Sequence, residues 1–324
     1  MKISRSYILM GMIAIAASIV MAFSNPLASL HKKDSMTIIM IPKVKDPTND
    51  FWMSMISGAQ SAARENQVTL EILAPDVEND CQSQKQFIEE SILRKPAAII
   101  LSPIQYSEMT DTVRKIKEAG IPLVLVDSKL SENVEAAYVG TDNEKAGLQM
   151  GILMKKYVKK GSKIAIMSYI PGASTAIERE TGVSKGLGDF KDRIETVLYS
   201  NSDYLEACRL TKKLIKEQPD VDLIAGLNLY STVGVARAIK EMGVAHRVHV
   251  IGFDNDVEGI LYLEEGIIDA LIVQKPFNMG YLAVLKSLEA VKKEVGETEV
   301  YCETEIITRD NIYTDENQKL LFPF

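Results

Sequence analysis

The 324-residue sequence is poor in the side chains on which most chemistry depends: three histidines, three cysteines and one tryptophan. Cys81, Cys208 and Cys302 stand far apart, and an odd count leaves at least one thiol unpaired within the chain. No disulfide framework is expected, nor a cysteine–histidine metal site, because no ligand spacing is present. The three thiols read as buried structural cysteines. His246 and His249 flank a candidate strand with no serine or cysteine nucleophile set beside them by any motif, so they read as a partly exposed surface pair. A G-x-x-x-x-G-K-[ST] phosphate loop, a G-x-G-x-x-G after the first strand and a G-x-S-x-G elbow are all missing. Glu178 and Glu180 flank Arg179, and a solvated or salt-bridged helix face accounts for them as well as acid–base chemistry does. Neither an enzyme nor a bound cofactor or metal is expected.

An excess of positive charge is also missing. Lys and Arg total 37 against 44 Asp and Glu, a net of −7. Such a balance argues against a surface built for nucleic acid phosphates. The shortage is uneven along the chain. Residues 1–35 hold Lys2, Arg5, Lys32 and Lys33 against Asp34, and removing them from the totals leaves a body near −10. No charged residue stands between Arg5 and Lys32, and an apolar run extends from Tyr7 to Phe23. A charged start, an apolar middle and the small residues of Ala22-Phe23-Ser24 form the pattern of an export signal, with cleavage expected after Ser24. The run is also close to the minimum of about 17 residues for a membrane span, so retention as an N-terminal anchor in contact with the membrane is the alternative. No cysteine near its end offers a site for lipidation.

What is abundant is alternation. At roughly 150 residues per domain the length suggests two globular units, and 46% hydrophobic with 25% charged residues is the composition of a folded protein. Short apolar runs at 36–41, 69–74, 97–101 and 123–126 read as buried strands. Helical spacing between them predicts helices over 51–66, 80–95 and 107–119, with Asp80 as an N-cap and Gly120 as a stop. The pattern repeats with strands at 163–167, 194–199, 223–226, 248–253 and 270–273. Helices are predicted at 144–159, 173–190, 203–217, 231–242 and 277–292, and 300–308 reads as extended. Repeated βα units imply right-handed crossovers and parallel sheets with helices on both faces. There are too many for one compact sheet, so the expected class is α/β with two doubly wound lobes. No long linker separates them, which suggests that the chain crosses between lobes more than once.

Ligands of such sheets bind beyond the carboxyl ends of the strands. The segments there, 43–52, 102–105, 127–128, 171–179, 200–204, 228, 254–255 and 274–275, are rich in Asp, Asn, Gln, Arg and aromatic residues. That inventory suits a polyhydroxylated ligand. Carboxylates and amides bracket hydroxyls, arginine offers a fork of donors, and flat rings cover the C–H face of a sugar.

Seven segments in order carry a resemblance. They are Asn49-Asp50-Phe51-Trp52, Gly58-Ala59-Gln60, 121–127 ending in Asp127, 172–182 with Glu178-Arg179-Glu180, Pro219-Asp220-Val221, Gly252-Phe253-Asp254 and Gln274-Lys275-Pro276. Together, from about Met36 to Thr308, they resemble periplasmic sugar-binding proteins of the ribose-binding type. The resemblance implies two doubly wound lobes joined by a three-segment hinge, the type I periplasmic binding protein fold. The lobes would be 36–140 plus 275–303 and 141–274 plus 304–324, after a signal or anchor at 1–35. A sugar would bind between them, and closure would be read by a membrane partner. Carried over by position, Phe51 and Trp52 would flank the sugar ring, Asn49 and Asn228 would bind hydroxyls, Asp127 and Asp254 would accept from them, Arg179 would fork onto the ring, and Gln274 would serve both hinge and ligand.

The sequence departs from the ribose pattern at two places. Ser128 stands where the family has arginine after its first carboxylate. Tyr204 is the nearest candidate for an aromatic residue expected near Ser202. Lys43 is a further candidate contact, since some relatives that bind other sugars, or the furanosyl signal autoinducer-2, carry a polar or basic residue there. A two-lobed transcription regulator shares this core but needs a basic helix-turn-helix in front, where this chain has an apolar segment. The expected role is therefore an extracytoplasmic solute-binding protein, in the periplasm or on the outer face of the cytoplasmic membrane. Its partner would be an ABC sugar permease or, as the alternative, a membrane histidine kinase to which a tethered sensor reports.

Overall fold

The computed structural model describes residues 36–294 and 296–322. The expected export segment at 1–35 lies outside the described residues. No helix among the described residues is long and apolar enough to cross a membrane.

The first sheet is built from β1 (Thr37–Ile41), β2 (Thr69–Ile72), β3 (Ala98–Leu101), β4 (Leu123–Val126) and β5 (Ala137–Gly140). Helices α1 (Asp50–Glu65), α2 (Cys81–Arg94) and α3 (Thr110–Glu118) link the first four strands. The chain then crosses to α4 (Asn143–Met154) and to a second sheet of β6 (Lys163–Ser168), β7 (Ile194–Tyr199), β8 (Val221–Gly226), β9 (His249–Phe253) and β10 (Ala270–Val273). Its connections carry α5 (Ser174–Leu187), α6 (Tyr204–Glu217), α7 (Leu229–Met242) and α8 (Val257–Glu264). A second crossing leads to α9 (Pro276–Lys292) and β11 (Glu299–Tyr301) on the first sheet, and a third to β12 (Glu305–Ile307) and α10 (Asp315–Leu321) on the second. The crossings fall at 141–142, 274–275 and 302–304.

The two sheets repeat one design. Their orders, β11-β5-β4-β3-β1-β2 and β12-β10-β9-β8-β6-β7, correspond strand for strand, and every pair is parallel except β10 with β12. Strands such as Leu-Val-Leu-Val in β4 are buried along their whole length because helices cover both faces. Alternate residues feed opposite faces: Ile38 and Met40 of β1 pack with α1 and α9, while Ile39 and Ile41 pack with α2 and α3.

Two helix pairs meet at backbone distance. A Cβ on Gly280 of α9 would lie 1.9 Å from the carbonyl oxygen of Met55 in α1. In the second lobe, α4 and α5 each carry glycines four apart, Gly147/Gly151 and Gly182/Gly186, and a Cβ on Gly147 would lie 2.4 Å from the Arg179 carbonyl oxygen.

Three elements differ from the expectation by being additional: β5, α8 and α10. The expected extended segment 300–308 is two strands in different sheets, divided by the third crossing. Helix α4 ends at Met154 rather than 159, and α3 starts at Thr110 rather than 107. Cys208 and Cys302 are buried as expected, but Cys81, at the start of α2, is only partly covered.

Candidate functional site

The carboxyl ends of both sheets face one small polar cavity. From the first lobe come Lys43 beyond β1, Asn49, Phe51 and Trp52 at the start of α1, Glu78 beyond β2, and Asp127 beyond β4. From the second come Tyr169 beyond β6, Thr175 and Arg179 on α5, Asn228 and Leu229 at the start of α7, and Asp254 beyond β9. Gln274, in the second crossing, completes it. The space measures about 310 Å³ counting its mouth. A wider groove of about 1440 Å³ on the same measure opens beside the second crossing, with Met53, Val257, Ile260 and Phe277 in its walls. It shares Phe51, Asp254 and Gln274 with the cavity, and Asp50, Ser54, Asn255, Lys275 and Asn278 also line it.

The two aspartates occupy matching positions in the repeated design. Asp127 follows β4 with φ +66° and Asp254 follows β9 with φ +63°. Each donates its backbone N–H at 2.9 Å to the next strand, to Val139 and Ile272 respectively. The left-handed conformation, which Asp tolerates better than most side chains, turns each chain sharply off its strand. Asn49 and Asn228 serve as N-caps: their Oδ1 atoms accept from Trp52 N at 3.2 Å and Ser231 N at 2.9 Å. Capping and cavity lining are therefore not alternatives for these residues. Phe51 and Trp52 are both buried, with rings perpendicular at 89° and centroids 5.1 Å apart, so they form two walls of one corner.

The site is held by a buried polar network. Lys43 Nζ lies 3.0 Å from Asp127 Oδ2, and both side chains are at most 5% exposed. Ser102 Oγ and Ser128 Oγ donate to the same carboxylate oxygen at 3.0 and 2.7 Å. Arg179 donates through Nε to Asn143 Oδ1 at 2.9 Å and through Nη1 to the Leu227 carbonyl at 2.7 Å, and its guanidinium lies 4.1 Å from the Phe253 ring centroid. Gln274 Nε2 donates to Asp254 Oδ1 at 2.9 Å, while its Oε1 accepts from Thr141 Oγ1 at 2.7 Å, tying two crossings together.

Burial sets the titration of these acids. Burial pushes the Asp254 carboxyl up to about 6, against the pull of Arg179 and Gln274. It pushes Glu78 up to about 7, only partly offset by Lys43 and the Trp52 indole. For Asp127 burial acts upward too, but Lys43, Ser128 and Arg179 outweigh it and hold the group below the usual range. The result is a closed ring of donors and acceptors, apolar at one corner, that can surround a small hydroxyl-rich molecule.

The sequence profile of the periplasmic binding protein domain matches residues 39–294. The chain belongs to this family. Its members are non-catalytic solute-binding proteins, and membership implies an extracytoplasmic location. A ribose import binding protein, RbsB of Bacillus subtilis strain 168, is 24% identical over 261 residues, covering 81% of this chain and 83% of the relative. The crystal structure of a sugar transporter from Clostridium phytofermentans matches with a TM-score of 0.80 at 40% identity, over 84% of this chain and 98% of that one. A carbohydrate transporter solute-binding protein from Agrobacterium radiobacter, in complex with D-arabinose, matches with a TM-score of 0.84 at 26% identity, over 89% and 99%. The two lobes and their crossings are those of a type I periplasmic binding protein.

In this periplasmic binding protein nine of the eleven expected site residues converge on the cavity: Lys43, Asn49, Phe51, Trp52, Asp127, Arg179, Asn228, Asp254 and Gln274. Two do not line it. Ser128 is fully buried behind Asp127 and spends its hydroxyl on that carboxylate. Tyr204 faces away: its ring packs 4.6 Å from Tyr230, and Arg237 sits over it. Helix α6 begins at Tyr204, which points the ring at α7 rather than at the cleft. Sequence reasoning missed Glu78, Tyr169, Thr175 and Leu229. Glu78 was within reach, since it lies beyond the end of β2, where the strand-end rule applies equally.

Proposed function

We propose that this protein is an extracytoplasmic receptor for a neutral monosaccharide, captured between lobes 36–140 plus 275–303 and 141–274 plus 304–324, with closure delivered to an ABC sugar permease. The observation that carries the reading is the pair of left-handed aspartates, one from each lobe, facing a common cavity with Arg179 and two capping asparagines. Each lobe supplies part of the hydrogen-bonding set, so a ligand satisfies both only when the lobes are together. The relatives named for ribose import and for D-arabinose binding support the substrate class. In this reading Arg179 and Asp254 grip ring hydroxyls, Asp127 accepts from the opposite side, and Phe51 and Trp52 cover the C–H face.

A thermal-shift panel of D-ribose, D-arabinose, D-allose, D-fucose, D-galactose, D-glucose and autoinducer-2 tests it. A bound sugar raises Tm by mass action, so the panel reads specificity directly. Arg179→Ala and Asp254→Ala each weaken the best sugar about tenfold or more by calorimetry, because a hydrogen bond to a charged group is worth about 1.5–3 kcal/mol. A flat panel defeats the sugar reading, and unchanged affinity in both variants defeats the site.

A further inference from the structure

Glu78 is a third carboxylate in a cleft with two cations. Lys43 and Arg179 are matched by Asp127 and Asp254, so an ionised Glu78 leaves the buried site with one negative charge too many. The groups that face it come from every side: Lys43 at the end of β1, Asp127 at the end of β4, Arg179 on α5, Tyr169 beyond β6 and Tyr230 on α7. Glu78 is 7% exposed. Its Oε2 accepts from Trp52 Nε1 at 3.2 Å, its one hydrogen bond among the described residues. The segment that carries it is held at both ends. Leu73 N donates to the Met40 carbonyl at 3.0 Å, and Asp80 caps α2 by accepting from Ser83 N at 2.9 Å. The side chain is thus kept at the cavity wall without the ion pair that a buried carboxylate needs.

We propose that Glu78 is a specificity-determining contact that meets a neutral, hydroxyl-rich ligand as a carboxylic acid, so that capture takes up a proton from solvent. The inference rests on the monosaccharide reading above. As an acid, Glu78 keeps the cleft electrically balanced and offers one O–H donor beside an acceptor, the same pairing a sugar hydroxyl presents. A ligand that displaces the remaining water raises the cost of the charged form further, so the bound state favours the protonated group. Free Glu78 already titrates close to neutrality. Linkage then fixes the sign: the liganded protein holds more protons, and affinity falls as pH rises above 7.

The protein contains its own probe. Trp52 is the single tryptophan, and its indole N–H donates to Glu78. Fluorescence of the unliganded protein is expected to show a transition near pH 7 that disappears in Glu78→Gln. Calorimetry with D-ribose, D-arabinose, D-allose and D-galactose, in phosphate and in Tris, then reads proton uptake from the difference in heats. In the wild type, affinity for the sugars that bind is expected to fall roughly tenfold between about pH 6.5 and 8.5. Glu78→Gln, a neutral isostere, flattens the profile. Glu78→Ala flattens it too and loses affinity. A missing fluorescence transition, or one that persists in Glu78→Gln, overturns the acid assignment. A lost transition with pH-independent sugar binding overturns the linkage. No sugar binding at any pH overturns the monosaccharide reading, and the ligand-free fluorescence experiment tells that failure from a failure of Glu78. Wild-type proton uptake needs no variant, so a misfolded substitution does not blunt the test.

Discussion

Lys43 and Asp127 show how the cleft spends stability on recognition. A buried ion pair contributes little net, but removing one partner strands the other and costs about 3–5 kcal/mol. Lys43→Met is expected to lower stability by that order in urea unfolding at neutral pH, and Lys43→Met/Asp127→Asn is expected to recover much of it. A loss in the double variant equal to the sum of the losses in Lys43→Met and Asp127→Asn would show that the pair is not coupled. The pH dependence follows from the direction of each shift. Asp127 is held below the ordinary carboxylate range, so its contribution is present at neutral pH and lost as pH falls through its folded value. Glu78 acts oppositely. Its folded value is raised from 4.5 to about 7, so folding is favoured by its protonated form and loses that advantage as pH rises from about 4.5 to 7. Glu78→Gln is therefore expected to stabilise the fold above pH 7, by up to about 3 kcal/mol, and to leave stability near pH 4 unchanged. A Tm difference that is the same at both pH values would contradict this. Lys43, Asp127, Asn228, Asp254 and Gln274 were legible in the sequence because each stands just beyond an apolar strand, while Asn49, Phe51, Trp52 and Arg179, on or at the start of the following helices, were picked out by the ordered resemblance. The placing of Ser128 and Tyr204 was not legible, since position after a strand says nothing about rotation. Ser128 is turned under its neighbour by the left-handed step at Asp127, and Tyr204, in the first turn of α6, packs behind Tyr230 instead of lining the cavity.

At the scale of elements, the site depends on how closely α5 is held. Gly147 of α4 touches the backbone of Arg179 itself, so the helix that carries the guanidinium is positioned by the absence of a side chain. Gly147→Ala is expected to push α5 outward, costing about 1–3 kcal/mol in stability by overpacking and displacing Arg179 from its bonds to Asn143 and Leu227. Sugar affinity should fall with stability. Gly280→Ala, at the equally tight contact between α9 and α1, should destabilise to a similar degree by moving Phe51 and Trp52 instead. Full sugar affinity in Gly147→Ala would show that Arg179 does not depend on this contact. The regular βα units could be read from periodicity, and their strand ends came within a few residues. The elements that escaped are the short ones. Strand β5 is four residues, Ala-Tyr-Val-Gly, ending in a glycine that reads as a break. Helices α8 and α10, at eight and seven residues, offer barely two turns of pattern. Their order comes from tertiary packing: Ile260 and Leu263 of α8 and Leu321 of α10 join the core beneath β8–β10.

At the scale of the molecule, the two lobes meet, among the described residues, through few hydrogen bonds besides the crossings. Tyr230 Oη donates to Asp46 Oδ2 at 2.9 Å, Tyr106 N to the Gly172 carbonyl at 2.9 Å, Gln105 Nε2 to the Pro171 carbonyl at 2.9 Å, and Lys129 N to Ser174 Oγ at 2.9 Å. Each is worth about 0.5–1.5 kcal/mol net, and Ile104 of the first lobe adds apolar burial against the second-lobe cluster around Tyr169 and Ile170, so the apposed arrangement is held by several modest contacts from which the entropy of fixing two lobes is subtracted. Such a balance is one that a ligand touching both walls can tip, because the shift it produces equals its difference in affinity between open and closed forms. Tyr230→Phe removes the phenol from one latch, and with it the hydroxyl's contact with Asn49 at the cavity edge. Its expected effect is a larger radius of gyration without sugar, by small-angle scattering, and the wild-type value at saturating sugar. Affinity should fall about threefold to tenfold, the equivalent of one such bond. The wild type should itself contract when the best sugar of the panel is added. A radius that does not change at saturation would remove closure from the mechanism, and with it the signal that a membrane partner is proposed to read. The cleft would then be a fixed pocket, and Tyr230→Phe would leave affinity where it was.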